Sequence, residues 1–213
     1  VGRIIETLRS VRKQKKIFLF LIAFFFFIDG VYTIIDMATA YGSALGLDST
    51  GLLLALLVTQ FVAFPFSILF GRLAEKYDTG KLILTCIAAY TGITVFAVFM
   101  KAQWQFWVLA IFVGMFQGGI QALSRSYFAK IVPPERSGEY FGLMDICGKG
   151  ASFMGTTVVG LASQAFGSIN IGVSAIVFLF LAGALFFMKT EHSGSESTKN
   201  QENVIMEQQM FHD

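Results

Sequence analysis

The chain has 213 residues, of which 55% are hydrophobic and only 14% charged, with 24 Phe and a mean hydropathy of +0.67. That composition lies outside the range of ordinary soluble domains, where about a quarter of residues are charged. The net charge of +2 says little as a sum; its distribution along the chain says more.

Residues 1–16 form a basic amphipathic segment with Ile4, Ile5, Leu8 and Val11 on one face. Such a segment suits a helix lying on the membrane surface, its Lys and Arg facing anionic headgroups. A nucleic-acid-binding arm is the rival reading, disfavoured because the segment runs straight into a membrane span. Opening on Val1 rather than Met points to further sequence upstream.

Six apolar stretches follow, at 17–44, 51–70, 82–100, 104–128, 140–165 and 169–188. A helix rises 1.5 Å per residue, so about 20 apolar residues cross the ~30 Å hydrocarbon layer. Backbone groups find no water there and must bond within a helix. No period-2 alternation is present, which disfavours a β-barrel. The expected fold is therefore all-α, a polytopic membrane protein with six transmembrane helices. The first stretch is too long for a cleaved signal peptide. Thirteen Lys and Arg fall before the first stretch, after the second and fourth, and in the tail, against Lys101 alone on the other side. The positive-inside rule then puts both termini in the cytoplasm.

The six helices differ in kind. The first carries Asp29, Tyr32, Thr33 and Asp36 on one face, and the fourth carries Gln117, Gln121, Ser124 and Arg125 in the same manner. The third and sixth contain no charge and can face lipid. The second has glycine only at its ends, Gly51 and Gly71. The fifth has Gly142, Gly148, Gly150, Gly155 and Gly160, and holds Asp145 and Lys149 four apart on one face. At about 2.5–3.5 kcal/mol per central charge, the fifth helix inserts poorly without protein around it. Each triplet runs from a polar-striped helix to a charge-free one. That order suggests two inverted three-helix repeats, with a site near the midplane between them. Asp29-Gly30 and Gln117-Gly118 echo one another in the two striped helices. Residues 191–213 are polar and aperiodic, and are expected to be a disordered cytoplasmic tail.

After the second helix the chain reads Gly71-Arg72-Leu73-Ala74-Glu75-Lys76-Tyr77-Asp78-Thr79-Gly80-Lys81. This resembles the loop signature of the major facilitator superfamily, Gly-x-Leu-Ala-Asp-Arg-x-Gly-Arg. Gly71, Glu75, Lys76, Gly80 and Lys81 match it, with Glu in the Asp position and two additional residues before Gly80. With Asp29-Gly30, the stretches Gln117-Gly118-Gly119, Ser124-Arg125-Ser126 and Pro133-Pro134-Glu135-Arg136-Ser137-Gly138-Glu139-Tyr140-Phe141-Gly142 resemble one branch of that superfamily. The branch includes vacuolar amino-acid effluxers and uncharacterised bacterial relatives. The resemblance covers about residues 1–190 and departs from many relatives in having Thr156, not proline, after Gly155. It implies twelve helices in two halves. This chain would be the second half, partnered by an N-terminal six-helix half, with residues 1–16 in the connecting loop and the signature loop latching a cytoplasmic gate. It also implies a secondary transporter of a small solute in a bacterial inner membrane, with amino-acid efflux and proton coupling as the attendant expectations.

The buried polar residues keep more than one reading. Asp29 lies about 18 Å along its helix, near the midplane. It could carry a proton, bind substrate, or serve as a hydrogen-bonded packing carboxylate; the cost of an unpaired Asp there favours a cavity role. Asp36 reads equally well as a hydrated helix-end residue. Arg125 and Asp145 fall at similar depth and suit a structural ion pair. Lys149 could pair with Asp145 or meet an anionic substrate. Gln117 and Gln121 can line a cavity with Tyr32 and Thr33, or simply join helices. Cys86 and Cys147 read as packing residues. The only histidines, His192 and His212, lie in the tail, and no Walker-type loop is present. No catalytic set, metal site or cofactor is expected. A six-helix channel and a non-transporting membrane scaffold are the alternatives to a transporter.

Overall fold

In the computed structural model the backbone is described for residues 10–210 and the side chains for residues 10–193. Six long helices account for almost all of it: α1 (Lys15–Ala44), α2 (Ser49–Lys76), α3 (Thr79–Val98), α4 (Gln103–Ile131), α5 (Ser137–Phe166) and α6 (Ile169–Met210). All but α5 are long and apolar enough to cross a membrane by length and composition. Helix α5 is the exception because it carries the charges and glycines already noted. The protein is an all-α polytopic membrane protein.

The connections are short and locally specified. Asp48 caps α2 by accepting from the Gly51 N–H at 2.7 Å, and Asp78 caps α3 by accepting from the Lys81 N–H at 2.9 Å. Before α4, the Gln105 side chain accepts from the N–H groups of Lys101 and Ala102. A 3-10 turn at Pro134–Arg136 leads into α5, which ends at Gly167 with φ +64, where a β-carbon would be strained.

Helices α1, α2 and α3 start at residues 15, 49 and 79, and α4, α5 and α6 at 103, 137 and 169, offsets of 88, 88 and 90. The packing follows the same correspondence. Helix α2 lies on α4 and α5 lies on α1; α6 lies on α1 and α3 on α4; α3 and α6 meet each other. Each triplet thus packs its second and third helices on the first helix of the other. The one clear departure is α5 against α6, which has no contact of comparable extent between α2 and α3.

The α2–α4 seam is close because α4 lacks side chains there. A β-carbon on Gly114 would meet the Thr59 carbonyl at 2.6 Å, and one on Gly118 the Ala63 carbonyl at 2.7 Å. In lipid, where apolar burial drives nothing between helices, such backbone approach supplies the packing. Phenylalanine fills the rest. Phe20 of α1 stacks on Phe128 of α4 at 5.3 Å, and Tyr127 lies 5.3 Å from Phe187 of α6. At the other end the Tyr41 hydroxyl donates to the Ala97 carbonyl at 2.6 Å and lies 3.0 Å from the Asn170 side-chain amide, joining α1, α3 and α6.

Two sequence expectations change. Residues 191–213 were expected to be disordered, yet α6 continues as helix to Met210. The tail has neither proline nor, after Gly194, glycine, and its Glu, Gln, Lys and Met residues favour a helix. The signature loop is mostly not a loop: Gly71–Lys76 are the last turns of α2 and Thr79–Lys81 the first of α3, leaving Tyr77 and Asp78 as the connection. The Asp78 cap explains the abrupt restart. Of the amphipathic segment, Ile4, Ile5 and Leu8 lie outside the described residues. Residues 10–13 are helical, with Val11 buried in the core and Gln14 donating to the Tyr140 hydroxyl at 3.0 Å.

Candidate substrate cleft

Three helices frame a polar cleft of about 210 Å³. Helix α1 supplies Phe24, Ile28 and Tyr32; α4 supplies Gln121 and Arg125; α5 supplies Met144, Asp145, Gly148 and Lys149. The sequence places these by helical spacing: Gln121 and Arg125 are one turn apart, as are Asp145 and Lys149. At Gly148 a β-carbon would sit in ordinary contact, 3.5 Å from the Phe24 ring and 3.9 Å from that of Tyr32.

Arg125 Nη2 donates to Asp145 Oδ1 at 2.8 Å, and both side chains are about half exposed, at 58% and 49%. The structure therefore joins the two charges that the sequence paired, and it places the pair on the open side of the cleft. Lys149 is exposed and makes no ion pair among the described residues. Of its two sequence readings, the bond to Asp145 is not made, because Arg125 already holds that carboxylate from across the cleft. A neighbouring contact had no sequence signal: the Ser152 hydroxyl donates to Asp36 at 2.7 Å, tying α5 to α1.

Asp29 and Thr33 are elsewhere. Both are fully buried between α1 and α5 and neither lines the cleft. Asp29 Oδ1 accepts from the Gly155 N–H at 2.8 Å and from the Thr33 hydroxyl at 3.4 Å, while its Oδ2 has no partner among the described residues. Asp29 does not line this cleft: a glycine on α5 lets the carboxylate approach that helix's backbone, and it docks there. A β-carbon on Gly155 would collide with Thr33 Oγ1 and lie 2.5 Å from Asp29 Oδ1. Gln117 shares the face of Gln121 but lies outside the lining; its Oε1 is buried without a partner among the described residues.

Of the signature residues, Gly71, Glu75, Lys76 and Lys81 are exposed, and the charged ones make no ion pair among the described residues. Gly80 is buried, with a β-carbon there meeting the Glu191 carboxyl at 2.9 Å. Around it sits a cluster that the sequence reading missed. Tyr127 donates to Glu191, and Lys130 Nζ donates to Thr79 Oγ1 at 2.8 Å. These bonds tie the last turns of α4 to the middle of α6 and to the start of α3.

Residues 1–199 match the family described as vacuole effluxer Atg22 like. The chain belongs to the Atg22-like family. A bacterial relative, the uncharacterized MFS-type transporter YxiO of Bacillus subtilis, is 43% identical over 203 residues, covering 95% of this chain and 47% of that protein. Among fungal relatives of this Atg22-like chain, autophagy-related protein 22-2 of Aspergillus clavatus is 28% identical over 85% of the chain and 31% of its own length. Autophagy-related protein 22 of Cryptococcus neoformans is 26% identical, again over 85% of the chain, and 35% of its own length is covered. The chain spans about half the length of the bacterial relative and about a third of the fungal ones. The major facilitator resemblance carried by Gly71–Lys81 and Gln117–Gly142 agrees with this membership.

Proposed function

We propose that this chain is one six-helix half of a secondary transporter that moves a small solute across a membrane by alternating access. One observation carries the reading: a cleft with polar and charged side chains opens on one face of two interlocked three-helix repeats. Charged groups at membrane depth are tolerated where they face a cavity or a partner, and sites between repeats are the usual place for substrate in such carriers. The partner that would close the cleft is an N-terminal six-helix half. The outward-projecting Glu75, Lys76 and Lys81 would then be free to latch against it. The thirteen-to-one bias of Lys and Arg and the bacterial relative support a bacterial inner membrane with both termini cytoplasmic. The protein acts as a carrier, not an enzyme.

The test is counterflow. The intact protein, reconstituted in vesicles preloaded with unlabelled solute, should accumulate labelled solute transiently and saturably. Passage without saturation or counterflow would favour the six-helix channel, and absence of any flux would favour a scaffold. Proton coupling is a separate step of the same proposal, resting on Asp29, whose buried Oδ2 is unpartnered among the described residues.

A further inference from the structure

A second groove, of about 290 Å³, opens on the far side of α1 from the polar cleft. Its lining is wholly apolar and includes Phe18, Ile22 and Phe26 of α1, Leu143 and Cys147 of α5, and Val11 just ahead of α1. Residues two apart on a helix lie about 200° round it, so Ile22 and Phe26 point away from the cleft residues Phe24 and Ile28. A partner half closing the cleft would approach from the other side. Helices α5 and α6 frame the groove. At their far end they pack tightly, where a β-carbon on Gly172 of α6 would meet the Val159 carbonyl of α5 at 2.6 Å. Toward the Lys15 end the α1 rings lie open, with Leu143 and Cys147 of α5 on one side. On the other side Phe186 of α6 stacks on Phe26 at 5.7 Å. From Phe18 to Phe26 the groove runs about 12 Å along α1, close to the ~15 Å of hydrocarbon in one leaflet.

Cations gather at one end of it. Lys15 shares a face of α1 with Phe18, Ile22 and Phe26, which follow it at helical spacing. Lys189 Nζ lies 5.7 Å from the Phe186 ring. Arg12 and Lys13 come directly after Val11, in a short helical stretch that is docked on the bundle: Val11 is buried, and Gln14 donates to the Tyr140 hydroxyl of α5 at 3.0 Å. All four cations are exposed, and none makes an ion pair among the described residues. An extended peptide would leave its backbone groups unsatisfied in so apolar a channel. Hydrocarbon one leaflet long with free cations at the headgroup end fits an anionic lipid.

We propose that an anionic phospholipid of the inner leaflet binds here, one acyl chain along Phe18, Ile22 and Phe26 and its phosphate on Lys15 and Lys189, with Arg12 and Lys13 alongside. The sequence pointed only to general contact between the basic segment and headgroups; the groove makes a discrete, saturable site. Binding does not depend on transport, so its failure leaves the carrier reading untouched.

Cys147 reports on the groove, whereas Cys86 is fully buried. The intact protein in detergent is treated with N-ethylmaleimide, and alkylation of Cys147 is followed by peptide mass spectrometry. Saturating phosphatidylglycerol should slow it at least about tenfold, and phosphatidylcholine or soluble glycerol phosphate by less than about twofold. Lys15→Gln combined with Lys189→Gln should lose the protection, and the two Lys→Arg changes should keep it. Native mass spectrometry should find one phosphatidylglycerol fewer on Cys147→Trp, which fills the groove, than on the unaltered protein or Cys147→Ser. That comparison carries the test if the double Gln variant does not fold. Equal protection by the two lipids, protection by glycerol phosphate alone, no protection at all, or protection that survives in the double Gln variant would each overturn the proposal. So would a Cys147 that is unreactive without lipid, because protein would then cover the groove.

Discussion

One oxygen of Asp29 is engaged and the other is not, and that asymmetry separates its possible roles. Oδ1 accepts from the Gly155 N–H and Thr33, and Oδ2 is buried without a partner among the described residues. Asp29→Asn keeps an amide oxygen for Gly155 and should fold normally, whereas Asp29→Ala removes the acceptor and should cost about 1–3 kcal/mol in thermal or denaturant unfolding. In the intact carrier, Asp29→Asn should abolish gradient-driven accumulation while exchange survives. Unchanged accumulation would reduce Asp29 to a packing carboxylate. The matching test on α5 compares two glycines. Gly155→Ala drives a methyl into Thr33 and Asp29 and should destabilise by about 1–3 kcal/mol. Gly150→Ala meets nothing within 4 Å and should be neutral or stabilising by up to about 1 kcal/mol, from helix propensity alone.

Between elements, close approach through glycine recurs at the corresponding seams of the two repeats, with the glycine on opposite members: α4 comes close to α2 through its own Gly114 and Gly118, and α5 to α1 through Gly155 of α5. Gly118→Leu must displace α2, because the obstacle is the Ala63 carbonyl and backbone cannot swing aside as a side chain can. The expected result is a fall in the unfolding midpoint and faster proteolysis near Lys76, with α1, α5 and α6 still associated. The order of the helices also makes a topological prediction. Single cysteines at Lys13, Lys76 and Pro134 should react only from the cytoplasm, and those at Asp48 and Lys101 only from outside. Labelling of position 76 from outside would invert the assignment of every helix.

For the molecule as a whole, the open faces are apolar as well as charged. On α2, Leu57, Phe61 and Phe64 are 57%, 78% and 71% exposed, and on α5 Phe153 and Leu161 are 76% and 62% exposed. An apolar face of this size can meet lipid, but the neighbouring Arg125, Asp145 and Lys149 cannot do so cheaply. Residues 1–213 expressed alone should therefore self-associate, with α2 and α5 crosslinking between copies, and should transport poorly. Size measurement in detergent and uptake in vesicles check this together. Robust uptake by a demonstrated monomer would contradict the half-transporter reading.

What could be read from the sequence follows from the membrane as solvent. Six helices and the choice of polar-striped and charge-free ones are dictated by chain length, hydrocarbon thickness and the need to satisfy backbone groups, all local properties. The pairing of Arg125 with Asp145 was legible for a related reason, since two opposite charges at one depth have few other partners. The tertiary structure alone decided which polar residues share a space. Asp29 and Tyr32 are both on the polar face of α1, yet helix rotation sends Asp29 to the Gly155 backbone and Tyr32 into the cleft. Spacing along one helix fixes neighbours on that helix but not the azimuth at which another helix arrives. That azimuth is set by small residues and ring packing on both partners at once. It is why Ser152 with Asp36, Glu191 with Tyr127, and the solitary charge of Lys149 emerged only from the folded chain.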